Sequence, residues 1–200
     1  MKDSRLFNPG EAERNKKVDA ALENVAEKLL STIFQDTWEG RSDVAKTPKR
    51  FVKMLWELST PQEFEFTTFK SDNDEMVIIQ DIPFVSLCAH HVSPFMGTAH
   101  IGYVPTDRTA GLSKIVRTVE YMSKGLWSQE DLTDAISDFL ISHLEPLGVA
   151  VVMQAEHTCM TIRGVKTFGA LTTTSSMTGC FADHDRLART EFLSLIGLRR

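Results

Sequence analysis

The sequence predicts an α+β chain: a helical N-terminal appendage over residues 1–70, then a domain over residues 71–200 in which strands are interrupted by two helices. Three observations carry this expectation. Early in the chain, apolar residues recur at three and four positions, the period of a helix with one buried face. After Met76 they gather in short β-rich runs punctuated by proline. Two helical periods then separate the first strands from the later ones.

Taken in order, Val18, Ala21, Leu22, Val25, Leu29 and Leu30 define an amphipathic helix from residue 17 to about residue 34. Thr47 and Pro48 supply an N-cap and a first helical position for a second helix through Phe51, Met54 and Leu55. The acidic, serine-containing stretch 70–75 reads as a loop leaving the appendage. Three strand runs follow, MVIIQDI, FVSLC and GTAHIGYVP, punctuated by Pro83, Pro94 and Pro105, so CAHHVSP falls where a strand ends and the chain turns. Ile115, Val116, Val119 and Met122 predict a helix with Ser113 as N-cap and Gly125 as its stop. Leu132, Ala135, Ile136, Phe139, Leu140 and Leu144 predict another, opened by Ser128 with Asp131 three residues on, close to a capping box. Two β runs, 148–164 and 168–179, and a short last helix with Leu187, Phe192 and Leu195 complete the chain. On that strand reading His157 and Cys159, two residues apart, share a face.

A chain of 200 residues with 42% hydrophobic content can bury one sizeable core. The formal net charge of -5 argues against a nucleic-acid partner, because such domains carry a basic excess to meet phosphates. The opening seven residues lack an apolar signal-peptide core. The apolar run GVAVVM at 148–153 stays far below the roughly 20 residues that a membrane-crossing helix needs, so a soluble protein with no membrane partner is expected. Three cysteines without regular spacing point to a reducing compartment, the cytoplasm, where thiols stay free for metal. An anionic small substrate would need a local basic cluster.

The densest concentration of metal-binding and proton-transferring side chains is split between two places. Cys88 and His91 bracket CAHH, and His157 and Cys159 arrive more than sixty positions later in AEHTCMTIRG. Catalytic zinc usually takes three protein ligands and leaves a fourth position to water or substrate, and Cys88, His91 and Cys159 would supply that trio. His90 and His157 remain beside the ligands, each with an ordinary pKa of about 6.5, suited to moving protons near neutrality. A structural zinc has no use for them. Single thiols are by default core filling, however, so spacing alone leaves packing and metal ligation both open for Cys88 and Cys159. Cys180 has no histidine within three positions and reads as packing, and His100, His143 and His184 read as ordinary surface or core residues.

On these residues the chain resembles GTP cyclohydrolase I. The likeness covers roughly residues 47–196 and rests on CAHH at 88–91, GLSKIVR at 111–117, QEDLT at 129–133 and AEHTCMTIRG at 155–164, with TPKR at 47–50 and LTTTSSMTG at 171–179 fitting as well. The resemblance implies a tunnelling fold, an antiparallel sheet with two helices on one face, assembled into pentameric rings and usually a decamer with active sites at subunit interfaces. It implies that GTP and water give formate and 7,8-dihydroneopterin triphosphate. Cys88, His91 and Cys159 would hold Zn²⁺, and His90 and His157 would be the acid/base pair. Gln129 and Glu130 would read the guanine edge. Ser113, Lys114, Arg117 and Arg163 would receive ribose and triphosphate, and Arg50 would reach in from a neighbouring subunit.

Without the resemblance these residues have plainer readings. Glu130 is an ordinary acid in a helical first turn, where the dipole favours it, and Ser113 is an N-cap. The basic side chains keep their charged heads in water. A triphosphate on an acidic protein argues for more, and with no GxxxxGK[ST] loop in the sequence phosphate must be held by side chains and helix ends. Ala89 departs from the family, whose members commonly carry Glu between the cysteine and the two histidines, which puts the tuning of the metal ligands in question. Two other readings compete: a related tunnelling-fold enzyme acting on another pterin or a deazaguanine, and a non-catalytic zinc scaffold with a closed four-ligand site.

Overall fold

The computed structural model describes residues 20–72, 74–182 and 187–197, and the chain divides between Thr60 and Pro61 into two units. The first contains α1 (Ala20–Ile33), α2 (Gln35–Trp38), a 3-10 turn (Ser42–Val44) and α3 (Thr47–Ser59). The predicted start of the first helix at residue 17, the opening seven residues and His184 lie outside the described residues. In α3 the cap position falls on Lys46, so Thr47 is the first helical residue rather than the cap. Proline fits throughout a helical first turn, where its missing N–H has no partner to lose, so Pro48 marks the turn without fixing which residue precedes it.

The second unit runs β1 (Thr68–Lys70), β2 (Val77–Cys88), β3 (Ser93–Val104), β4 (Arg108–Ala110), α4 (Leu112–Met122), β5 (Leu126–Trp127), α5 (Gln129–Leu144), β6 (Gly148–His157), α6 (Thr158–Thr161), β7 (Leu171–Met177), a 3-10 turn (Gly179–Phe181) and α7 (Leu187–Leu195). Five strands form one sheet in the order β5-β2-β3-β6-β7, antiparallel except where β5 joins β2, while β1 and β4 pair separately.

The two predicted runs MVIIQDI and FVSLC are a single strand. Its register breaks between Ile79 and Ile82, where Asp81 takes φ 54, so β2 absorbs an irregularity instead of ending. Pro83 is tolerated inside it because β2 acquires its second neighbour, β5, only from Leu87 onward.

The α4 helix begins two residues earlier than predicted: Gly111 holds the cap position, its carbonyl accepting from Lys114 N at 2.7 Å, and Ser113 lies in the first turn. Ser128 caps α5 as the sequence predicts, accepting from Asp131 N at 3.1 Å.

Alternation along the strands separates two cores. Phe95, Ala99, Ile101 and Tyr103 of β3 join Ile82 and Phe84 of β2 and Val149, Val151, Met153 and Ala155 of β6, beneath Ile115 and Val119 of α4 and Leu132, Ile136, Leu140 and Leu144 of α5. Both interior helices therefore cover one face. The opposite face carries a smaller cluster of Ala150, Val152, Phe181, Phe192 and Ile196. Two glycines let these layers close up. A Cβ at Gly102 would stand 2.7 Å from the Phe192 ring, and one at Gly97, which pairs with Ala155, would stand 1.8 Å from the Gln154 carbonyl oxygen.

Candidate active site

Two corners of the sheet meet at the same end. Cys88 is the last residue of β2 and is buried. Its carbonyl accepts from His91 N at 3.3 Å and Val92 N at 2.9 Å, and Val92 takes φ 51 to reverse the chain into β3. Ala89 N donates to the Trp127 carbonyl at 3.0 Å, tying the turn to β5. His90 and His91 are left exposed, with His90 Nδ1 at 3.7 Å from Cys88 Sγ.

The second corner is not the strand predicted for 148–164. The β6 strand stops at His157, and Cys159 lies inside the single helical turn α6. Thr158 Oγ1 donates to the Pro94 carbonyl at 2.6 Å and also bonds Ser93 Oγ, which fastens this turn to the start of β3. The helical turn removes His157 and Cys159 from a shared strand face and separates their surroundings. Cys159 meets Cys88 and His91, whose ligand atoms all lie within 4.8 Å of one another. His157 instead stacks on Phe95, ring centroids 4.7 Å apart and planes 2° from parallel. In a tetrahedral site with bonds of about 2.3 Å, donor atoms stand roughly 3.8 Å apart, so this trio can close on one ion.

The electrostatics tie further residues to this end. Burial pushes the Cys159 thiol up, the neighbouring Cys88 thiol adds to the rise, and Arg163 opposes it. A metal ion held by the trio would favour the thiolate against that rise. Burial lowers the His157 pKa and Glu130 opposes that shift, so the exposed Glu130 carboxylate is felt at the imidazole.

Gln129, expected from the resemblance to read the guanine edge, opens α5. It is 1% exposed, and its amide bonds β6, β7 and His157 rather than facing outward. Ser113 and Arg117 are exposed on α4 with Lys114 half-buried between them. Arg117 lines a groove of about 180 Å³ with Gln62, Glu63, Phe64, Glu120 and Tyr121, an acidic neighbourhood for a phosphate ligand. Arg50 is exposed in the first turn of α3. Cys180 packs against the smaller core, as predicted. Sequence reasoning missed Phe95, Ser93, Thr158 and Thr174, which contact His157, the α6 turn and Gln129. The one available signal was the threonine-rich run of β7.

Two thiols and an imidazole gathered within reach of one ion make a group that could hold a metal on an α+β fold. The family model described as GTP cyclohydrolase I matches residues 22–197, and the chain belongs to that family. A GTP cyclohydrolase 1 from Halalkalibacterium halodurans is 45% identical over 84% of this chain and 91% of its own. One from Hydrogenobaculum sp. is 46% identical over 78% and 86%, and one from Geobacillus sp. is 41% identical over 88% and 95%. A looser structural likeness, TM-score 0.42 at 14% identity, covers 52% of this chain and 93% of an apo archaeosine synthase described as QueF-Like.

Proposed function

We propose that the chain is a zinc-dependent GTP cyclohydrolase I that converts GTP and water into formate and 7,8-dihydroneopterin triphosphate. The observation that carries this reading is the meeting of Cys88, His91 and Cys159 within 4.8 Å, from corners more than sixty positions apart. Family membership supports the same reaction. The donor set of two thiols and one imidazole suits zinc, a borderline-soft ion that takes both.

Guanine C8 is a poor electrophile, and zinc held by these three residues would supply Lewis acidity, drawing the pKa of water towards about 7. The chain's own residues do the rest. His90, exposed beside Cys88, and His157, whose pKa burial lowers, serve as the acid/base pair: one removes a proton from water, the other protonates the purine nitrogen as the ring opens. The same pair shuttles protons in the later sugar rearrangement and ring closure. Glu130 accepts two N–H bonds from guanine, a pairing that rejects bases lacking those donors. Ser113, Lys114, Arg117 and Arg163 receive ribose and triphosphate, and Arg50 comes from a neighbouring subunit.

That last role requires an assembly of tunnelling-fold subunits, pentameric rings stacked as a decamer. The segment after α6 supports it: Ile162, Val165, Phe168 and Leu171 are 69%, 71%, 77% and 61% exposed, an apolar stretch suited to burial against another subunit. A cytoplasmic protein without nucleic-acid or membrane partners completes the reading, and among the described residues no helix is long and apolar enough to cross a membrane. Incubation with GTP, with and without a zinc chelator, tests it. Formate is expected in step with GTP loss, with pterin fluorescence after oxidation, and GTP loss without formate overturns it.

A further inference from the structure

Gln129 opens α5, where side chains ordinarily face water, yet it is 1% exposed. Its Nε2 lies 3.1 Å from the Met153 carbonyl, 3.0 Å from the Thr172 carbonyl and 3.0 Å from Thr174 Oγ1. Its Oε1 lies 2.9 Å from His157 Nε2. The direction of every hydrogen in this cluster is forced. Carbonyls only accept, so the amide NH₂ must face Met153 and Thr172, and Oε1 must face His157. An amide oxygen also only accepts, so His157 Nε2 carries the ring hydrogen. Thr133 Oγ1 donates to the Gln129 carbonyl at 2.7 Å and therefore accepts from Thr174 at 2.6 Å, which leaves the Thr174 oxygen an acceptor that shares one of the two amide hydrogens.

This is a closed arrangement with no donor to spare for a ligand. Turning the amide towards substrate would break its bonds to the Met153 and Thr172 carbonyls and to His157 together. We infer that Gln129 is the positioning residue of His157 rather than a reader of guanine: it fixes the ring flat on Phe95 and sets its tautomer, with the hydrogen on Nε2 and Nδ1 left as the acceptor. The inference rests on the proposed role of His157 in the cyclohydrolase reaction. It assigns Thr133 and Thr174 the supporting task of holding the amide. Base recognition on α5 is then left to Glu130.

The test uses the full-length, zinc-loaded protein. In ¹⁵N-histidine-labelled wild type, with His157→Ala for assignment, His157 is expected to show a pyrrole-type Nε2 and a pyridine-type Nδ1. The opposite tautomer overturns the inference. Gln129→Met is expected to lower kcat by about 10–100-fold, the usual cost of losing a residue that orients a functional group, with GTP affinity in equilibrium binding unchanged. Thr174→Val, which keeps the amide and removes one of its supports, is expected to show a smaller loss of the same kind, and it carries the kinetic test should Gln129→Met not fold. In a His157→Ala background neither change should cost anything further. Weakened GTP binding with kcat retained, or additive losses in that background, overturns the inference. Wild type that releases no formate from GTP sinks the cyclohydrolase reading instead, while the tautomer still decides the Gln129 contact.

Discussion

On one face of the sheet the β3 row runs from Phe95, stacked on His157, through Ala99 and Ile101 to Tyr103, and its inner members are sealed by α4 and α5. On the other face the same strand turns His100, Gly102 and Val104 towards the smaller cluster of Phe181, Phe192 and Ile196. The first face is at once the larger core and the foundation of the site, so packing there holds catalytic geometry. The second face closes the back of the sheet and touches none of the proposed chemistry. Damage to the two faces should therefore look different: activity and stability fail together on the first, stability alone on the second.

The largest effect is expected at the end of the first face. Cys159→Ala should abolish zinc retention and turnover together, read by metal content per chain and formate release; stoichiometric zinc with normal turnover would break the comparison at its root. Next come large-to-small changes in the two cores. Ile101→Ala should cost about 2–5 kcal/mol and Phe192→Ala about 3–5 kcal/mol in denaturant unfolding. Below its unfolding transition Phe192→Ala should keep full kcat per folded chain, and reduced kcat there would erase the distinction between the faces. Gly102→Ala drives a methyl group into the Phe192 ring, which stands 2.7 Å from the site of the added carbon, and should cost about 1–3 kcal/mol with turnover intact.

The smallest effect is a pH dependence. Burial holds the His100 pKa below its ordinary value and Asp81, whose backbone N–H donates to His100 Nδ1 at 3.3 Å, opposes the shift. The fold therefore favours the neutral ring, and the unfolded chain takes up the proton first as pH falls. This contribution is complete above the unfolded pKa of about 6.5 and is lost as pH drops from there through the folded value. His100→Gln should remove part of the slope of unfolding free energy between neutral and mildly acid pH, and an unchanged slope would show that this side of the sheet is insensitive to charge.

How much of this was legible in the sequence depends on how local each signal is. CAHH sits in a tight turn whose hydrogen bonds are all short-range apart from the one to Trp127, and its position at a strand end was readable. The segment after His157 was not. Its β-branched residues suggest a strand, but Thr158 bonds to Ser93 and Pro94 across the sheet, and those distant partners select the helical turn that delivers Cys159. The break inside β2 misled in the opposite sense, because Asp81 and Pro83 look like punctuation between strands when the chain only bulges. Gln129 shows a third limit. Nothing local to the first position of α5 marks its burial, which comes from bonds to β6 and β7 formed in the folded sheet. Ser113 missed its cap by two residues and Thr47 by one, displacements that a helical first turn tolerates at little cost.

Gly97 has no atom that could bind a metal, move a proton or touch a nucleotide. Yet the carbonyl oxygen of Gln154 occupies the space where any other residue would begin its side chain, so even alanine would wedge β3 away from β6. The pairing of those two strands ends at Phe95 and His157, next to the corners that hold the thiols. An inherited change at this position would present in an assay as a failure of metal or catalysis, although the lesion is purely one of clearance, and the remedy would be room rather than chemistry.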